Sequence, residues 1–457
     1  MLAPATAFFL LGACTAYHPL PLEERASLAA GIEALAVDPA VFPGGAAGRR
    51  AFEPRDGLDL DEVGILAAVN NPDLRAQRAS LAVAEAQVFA AGLLPDPQIS
   101  AAVDNPTGNS GALVDGWSLG IGYDIMPLIT RQANIDAASG ASRKVHLDLL
   151  WQEWQVVQKA RSLAVALSLE GEQLALLQRM LDLYLARYQH SAVALEQGDV
   201  PLDVNGTDLT ALVDTLSQIN QLEQTHNQTR HDLNALLGLE PRVSIDLAPL
   251  PSEVPVTPDL QQEELLGLAQ RRPDLLALQA GYASQEARVR AAILAQFPSL
   301  GIELHRARDT GDVKTTGLGV SLNLPLLSGN RGAIATERAS RAQLHEEYRA
   351  RLAQTVADVD RLHELQEIIR RQQAALGTYL PRLEVLVERS RSAYANGDID
   401  ALAFLNMEST WVNKSLEQIS LAQAGWENRI ALEALLAMPG YPVEPPLRNN
   451  GTERPPP

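Results

Sequence analysis

The sequence predicts a mainly α-helical chain with two inserted pairs of β-strands, built from two copies of one unit. Three observations predict it. Ala and Leu dominate the 457 residues, with 46% apolar and only 5% aromatic residues, a composition of long packed helices rather than an aromatic core. Five short motifs recur in the same order about 200 residues apart, the mark of an internal repeat. Leu94–Arg131 and Phe297–Arg331 break the helical pattern with strict alternation.

The five motif pairs are Asn71-Pro72-Asp73-Leu74 with Arg272-Pro273-Asp274-Leu275, Leu94-Pro95 with Phe297-Pro298, Met126-Pro127-Leu128 with Leu324-Pro325-Leu326, Gly198-Asp199-Val200 with Gly397-Asp398-Ile399, and Leu236-Leu237-Gly238 with Leu435-Leu436-Ala437. One match is weak; five in register define a duplication. The first repeat covers 58–240 and the second 259–438, with the Pro-rich segment 241–258 as linker.

The chain opens with an apolar run at 5–13 that ends in small residues before Cys14, the only cysteine. No disulfide or cysteine cluster can be built from one thiol. The run is too short to span a bilayer and reads as a signal peptide over 1–13, although no Lys or Arg precedes it. Leu11-Gly12-Ala13-Cys14 matches a bacterial lipobox, so Cys14 is the expected lipidation site, bearing an acyl (palmitate-type) anchor. Thr15 after it, not Asp, resembles lipoproteins sorted to the outer membrane. Residues 14–57 then form an extended, lipid-anchored arm with a short helical patch near Leu28–Leu35, and 439–457 a flexible tail. The net charge of −19 argues against nucleic acid as a partner, because an acidic surface repels phosphate.

Each repeat starts with a helix, Leu58–Leu93 or Leu260–Ala295, broken at its X-Pro step because the residue before proline disfavours αR. A strand pair follows, at about 97–107 and 116–126 in the first repeat and about 299–308 and 315–325 in the second. Trp117, Leu119, Ile121, Tyr123 and Ile125 alternate with Ser118, Gly120, Gly122 and Asp124. Leu318, Val320, Leu322 and Leu324 alternate with Gly319, Ser321 and Asn323. Strands of about 9–11 residues suit a tilted bilayer crossing, and the small or polar alternate face suits a water-filled barrel. A very long helix comes next, 130–196 or 331–395, and Pro381 should interrupt the second. Turns at Gly198 and Gly397 reverse the chain into returning helices, 201–237 and 399–438.

Four strands cannot close a barrel, since bacterial barrels start at about eight. If these strands cross a membrane, several chains must share one barrel, because lipid tolerates no open edge.

On Asn71-Pro72-Asp73-Leu74, RRPDL at Arg271–Leu275, FPSL at Phe297–Leu300, LNLPLLSGNRGA at Leu322–Ala333 and YANGDI at Tyr394–Ile399, the chain resembles the TolC-like outer-membrane efflux proteins. The LLPDPQ stretch at Leu93–Gln98 and the Trp-rich Trp151–Arg161 resemble the heavy-metal-exporting, CzcC/CusC-like branch. The resemblance implies a homotrimer with a shared twelve-stranded β-barrel in the outer membrane and a helical tube in the periplasm. It implies a passive exit duct of a tripartite, RND-linked system exporting metal ions or drugs, with a periplasmic adaptor (membrane fusion) protein, an inner-membrane pump and outer-membrane lipid as partners. The adaptor-docking tips carried over are Gly198, Asp199 and Val200, and Gly397, Asp398 and Ile399. Where relatives place aperture acids this chain has Ala403 and Asn406; Asp203, Asp398, Asp400 and Glu408, along with Asp199, are the acids available near the tips. N-capping and first-turn helix charge explain Asp398 and Asp203 equally well. No catalytic motif, cofactor motif or metal-spaced cluster stands out, so no enzyme activity, cofactor or resident metal is expected. His226 and His231 read as a chance pair on a solvated helix face. A type I protein-secretion duct and a non-transporting coiled-coil envelope lipoprotein are the alternatives.

Overall fold

The computed structural model describes residues 17–36, 57–107, 113–251, 253–256, 262–325 and 327–436. Cys14, the signal-peptide segment and the tail lie outside the described residues. The element order is α1 (Leu60–Asn70), α2 (Pro72–Gly92), β1 (Gln98–Asp104), β2 (Gly116–Asp124), α3 (Met126–Gln197), α4 (Leu202–Leu237), α5 (Gln262–Arg271), α6 (Pro273–Leu294), β3 (Ser299–Arg308), β4 (Lys314–Asn323), α7 (Arg331–Asn396) and α8 (Ala401–Leu436). The second half repeats the first element for element.

The X-Pro steps start new helices. Asp59 caps α1 in a full capping box with Glu62. Asn71 caps α2 by accepting from Leu74 N–H at 2.9 Å, and its amide donates to the Leu236 carbonyl at 3.0 Å. Arg272, in the matching position, makes no such cap. It forks instead onto both Asp274 oxygens at 2.9 and 2.7 Å, and its guanidinium lies 4.9 Å from the Trp151 ring centroid. One sequence motif thus serves two different local chemistries.

α3 starts four residues earlier than its apolar spacing suggests. Pro127 falls in its first turn, where a missing N–H costs nothing, and Asp124 accepts from Met126 N–H at 2.9 Å. With 72 residues α3 reaches about 108 Å. α7 runs unbroken through Pro381, contrary to the expected interruption. The proline removes one hydrogen bond and crowds the carbonyl four residues back, and that residue is Gly377, whose surroundings are open. β1 is only seven residues, shorter than expected, because Asn105-Pro106 follows and proline cannot donate to a ladder.

α3 is the spine. One core cluster joins α1, α3 and α4 through Val63, Leu66, Leu163, Leu167, Leu233 and Leu237. A second joins Val165 and Leu169 of α3 to Trp426 and Ile430 of α8, and a third joins Leu147 to Ala277 and Ala280 of α6. The two repeats therefore share one core along α3. Polar ties reinforce it: Arg161 bonds Glu433 at 2.6 Å, and Trp154 Nε1–H donates to the Ala434 carbonyl at 3.2 Å. Burial pushes the Glu433 carboxyl up, but the Arg161 and Arg429 guanidiniums outweigh it and hold the group below the usual glutamate range.

Residues 29–36 of the N-terminal arm lie on this body, while 17–28 are exposed. Ala29 forms a parallel bridge to Leu239, and Asn70 clasps Ala36 through both its amide and its carbonyl. Its helical patch is a single 3₁₀ turn, Ile32–Ala34.

Candidate functional site

The four strands form one antiparallel sheet in the order β1-β2-β3-β4. β2 joins the repeats by pairing with β3, from Trp117↔Arg308 to Asp124↔Gly301. The end of β1, the start of β2 and the β3–β4 turn at 309–313 lie at one end of the sheet, and all strand-to-helix junctions lie at the other. Within the chain β1 and β4 each have one unpaired edge among the described residues.

The registers sort every strand side chain onto one of two faces. One face holds Ile99, Ala101 and Val103, then Trp117, Leu119, Ile121 and Tyr123, then Leu300, Ile302 and Leu304, then Leu318, Val320 and Leu322. These residues are exposed rather than packed, Ile99 at 74% and Leu318 at 69%. An unpacked apolar sheet face of this extent is unstable in water and matches a lipid-facing band. Trp117 sits toward the hairpin end and Tyr123 toward the helical end, as interfacial aromatics do.

The other face is small and polar: Gln98, Ser100, Asp104, Ser118, Gly120, Gly122, Gly301, Glu303, His305, Gly317, Gly319, Ser321. Here side chains lean over glycines. A Cβ on Gly120 would lie 2.5 Å from Ser100 Oγ and 2.6 Å from Glu303 Oε1, and one on Gly317 would lie 2.7 Å from the His305 ring. Glycine on this face makes room for the larger side chains of the neighbouring strands. The charges follow the same division. Asp104, Asp124 and Glu303, the only strand acids, are on the polar face, while Arg306, Arg308 and Lys314, the only Arg or Lys residues in the strands, are on the apolar face.

At the far end of the molecule two helical hairpins close with the same turn. Gly198 has φ 80° and ψ 13°, and Gly397 has φ 79° and ψ 12°. In each the residue after the glycine donates back across six residues, Asp199 N–H to Ala194 O and Asp398 N–H to Ala393 O, both at 2.8 Å. This is the Schellman closure, which requires the left-handed conformation that glycine adopts without strain. Asp400 accepts from Ala403 N–H at 2.7 Å, so it, and not Asp398, caps α8. Asp203 accepts from Val204 N–H in the first turn of α4. Glu408 is elsewhere: it is 1% exposed between α7 and α8 and bonds Arg391 at 3.1 Å.

Sequence reasoning missed a second such pair, Arg187–Asp208 at 2.5 Å, with Asp208 2% exposed. A signal existed, since Arg187 and Asp208 are nearly equidistant from Gly198 and must face each other across the hairpin. It also missed two ties between the repeats near the tips, the Tyr184 hydroxyl donating to Ser409 Oγ at 2.9 Å and Arg179 stacked 5.8 Å from the Trp411 ring. His226 is not on a solvated face: it lies 3.4 Å from the buried Glu170 carboxylate of α3. Burial pushes the Glu170 carboxyl up, against the Thr229 hydroxyl bond and the His226 ring. Among the described residues no helix is long and apolar enough to cross a membrane, and no group of three or more His, Cys, Asp or Glu is placed to hold a metal ion.

A sheet with one apolar and one polar face, open at both edges and set on helices about 100 Å long, fits one subunit of a barrel shared between chains. The comparisons agree. The family model "Outer membrane efflux protein" matches residues 267–438, within the second repeat. The chain is similar to the solved structure of CusC, described in terms of folding and transmembrane channel formation, with TM-score 0.68, 18% identity, and 91% of this chain and 99% of that one covered. It is similar to the outer-membrane channel OprN with TM-score 0.69, 16% identity, and 91% and 98% covered. It is also similar to the Campylobacter jejuni CmeC outer membrane channel with TM-score 0.68, 15% identity, and 93% and 94% covered. No curated protein matches the chain. The whole chain therefore has the fold of these solved channels, and the efflux-protein family model matches within its second repeat.

Proposed function

We propose that three copies assemble into the outer-membrane exit duct of a tripartite efflux system. The observation that carries this reading is the four-stranded sheet, exposed and apolar on one face and unpaired at both edges. Three such sheets give a twelve-stranded closed barrel, which removes every edge. The polar face becomes the lumen, and its glycines keep it wide. The long helices become the periplasmic tube. Conduction is passive, because the wall supplies water-filled space and no reacting group. The acids on the lumen face favour cations.

In this reading the turns at Gly198–Val200 and Gly397–Ile399 dock a periplasmic adaptor, and an RND-type inner-membrane pump drives metal ions or drugs into the tube. The family resemblance supports those partners and the tip assignment. Asp199 and Asp398, whose side chains are not used as helix caps, are the free acids at the tips. Lipidation of Cys14 would anchor the arm in the outer membrane.

The test is reconstitution of the purified full chain in planar bilayers. Stable channels are expected from an oligomer resistant to detergent. Ile121→Lys, on the apolar face, costs about 2–4 kcal/mol per chain at mid-bilayer and should abolish insertion. Ser321→Lys, on the lumen face, should insert normally and shift selectivity toward anions. A folded oligomer that forms no channels would overturn the proposal.

A further inference from the structure

We infer that the outer rim of the sheet is built to hold the phosphate groups of an anionic lipid headgroup, at a site formed by Arg306, Arg308 and Lys314. The inference rests on the proposed membrane barrel.

The three residues are the only Arg or Lys residues in the strands, and all three share the apolar face. They also share one level. Arg308 pairs directly with Lys314, and Arg306 lies on the same face one position further along β3. That level is the hairpin end, the end remote from the helices and hence the external leaflet. On the next strand Arg308 is opposite Trp117 and Arg306 opposite Leu119. The cations therefore sit beside the upper part of the apolar band, where a lipid headgroup meets its chains.

Like charges directly opposite on neighbouring strands repel, so the Arg308–Lys314 pair is unfavourable unless a counter-charge lies between them. The chain supplies only part of one. Arg308 bonds Asp312 at 2.6 Å, in the turn. Asp309 is occupied by the turn's own N–H groups, those of Gly311 and Val313. Arg306 and Lys314 have no acidic partner among the described residues, and Arg306 is exposed. The strand acids cannot serve, because Asp104, Asp124 and Glu303 are on the opposite face. An external dianionic phosphate group offers the missing charge, and arginine binds phosphate in a fork. Acyl chains of the same molecule would lie along Leu304, Leu318 and Leu119. A phosphorylated lipid thus matches both the charge and the apolar surface below it, which a free anion does not.

The experiment is native mass spectrometry of the full-length protein in detergent, with diphosphoryl lipid A, phosphatidylcholine or inorganic phosphate added. The wild type should retain lipid A in preference to phosphatidylcholine, and inorganic phosphate at equal concentration should not displace it. The triple variant R306Q/R308Q/K314Q should bind lipid A at least about tenfold more weakly, the size of a single lost charged contact. Should the triple variant fail to fold, Arg306→Gln alone removes no contact within the chain and should still weaken binding. Undiminished lipid A retention by either folded variant would overturn the inference, as would equal displacement by inorganic phosphate. If the wild type inserts and conducts but binds lipid A no better than phosphatidylcholine, this inference falls and the channel stands. If it does not insert at all, the channel proposal falls.

Discussion

α3 and α7 are counterparts in the two repeats, similar in length and closed by the same glycine turn, yet they live in different surroundings. α3 buries 18 of its 72 residues, α7 only 8 of its 66. α3 is packed by α1, α2, α4, α6 and α8, while α7 packs chiefly on α6 and α8, with residues 254–256 beside it. On α7 Val356, Ile368, Tyr379, Val385 and Leu386 face outward, exposed. The difference teaches that one helix completes its packing inside the chain, while the other keeps an apolar exposed side of the kind the proposed assembly would cover. The sheet says the same thing independently through its open edges at β1 and β4.

That contrast can be broken by substitution. The largest effect is expected at Leu167 of α3, in the core shared with α1 and α4. Leu167→Ala should destabilise the chain by about 2–5 kcal/mol, seen as a lower denaturation midpoint at every protein concentration. Gly140 comes next. A Cβ there would lie 2.9 Å from the Ser284 backbone of α6, so Gly140→Ala should cost about 1–3 kcal/mol by forcing two helices apart. Gly377→Ala on α7 meets nothing and should leave stability unchanged or raise it by up to about 1 kcal/mol. Leu386→Asp on α7 should spare the helical fold, read by circular dichroism, and weaken assembly in a concentration-dependent way. A Leu386 variant that unfolded the isolated chain would erase the contrast.

The smallest effect is a pH dependence at the tie between α3 and α8. The Glu433 carboxyl is held below its ordinary range in the folded chain. Its contribution is therefore present above the unfolded value of about 4.3 and lost as pH falls through the lower folded value. Arg161→Gln should flatten the stability profile in that acidic window, lowering stability near neutrality and changing little at pH values below the window.

Much of this architecture is visible in the residues. The repeat, the helix breaks at Pro72 and Pro273, the strand alternation and the glycine turns all follow from short-range chemistry. The α3 stripe is legible too, at Leu149, Val157, Leu163, Leu167 and Leu177. α7 is less so. Val356 fits the spacing but is exposed, and Val359 takes the buried position, because the packing on α6 and α8 sets its inner side. The two proline motifs look alike, yet Asn71 can cap a helix with its own side chain and Arg272 cannot, so the second copy needed Asp274 and Trp151. Near the tips Arg391 is six residues before its glycine and Glu408 eleven after, an offset that a long guanidinium stem bridges but that spacing does not announce. The two faces of the sheet were readable from alternation, whereas the division of acids from bases across them required the register between the strands.

The central claim is that the chain is an incomplete unit whose sheet closes only with its copies. Native mass spectrometry of the full-length protein extracted from membranes tests it most directly. The account predicts a species of three chain masses that collapses to one only on unfolding. A folded single chain in detergent, with its four-stranded sheet intact, would contradict it.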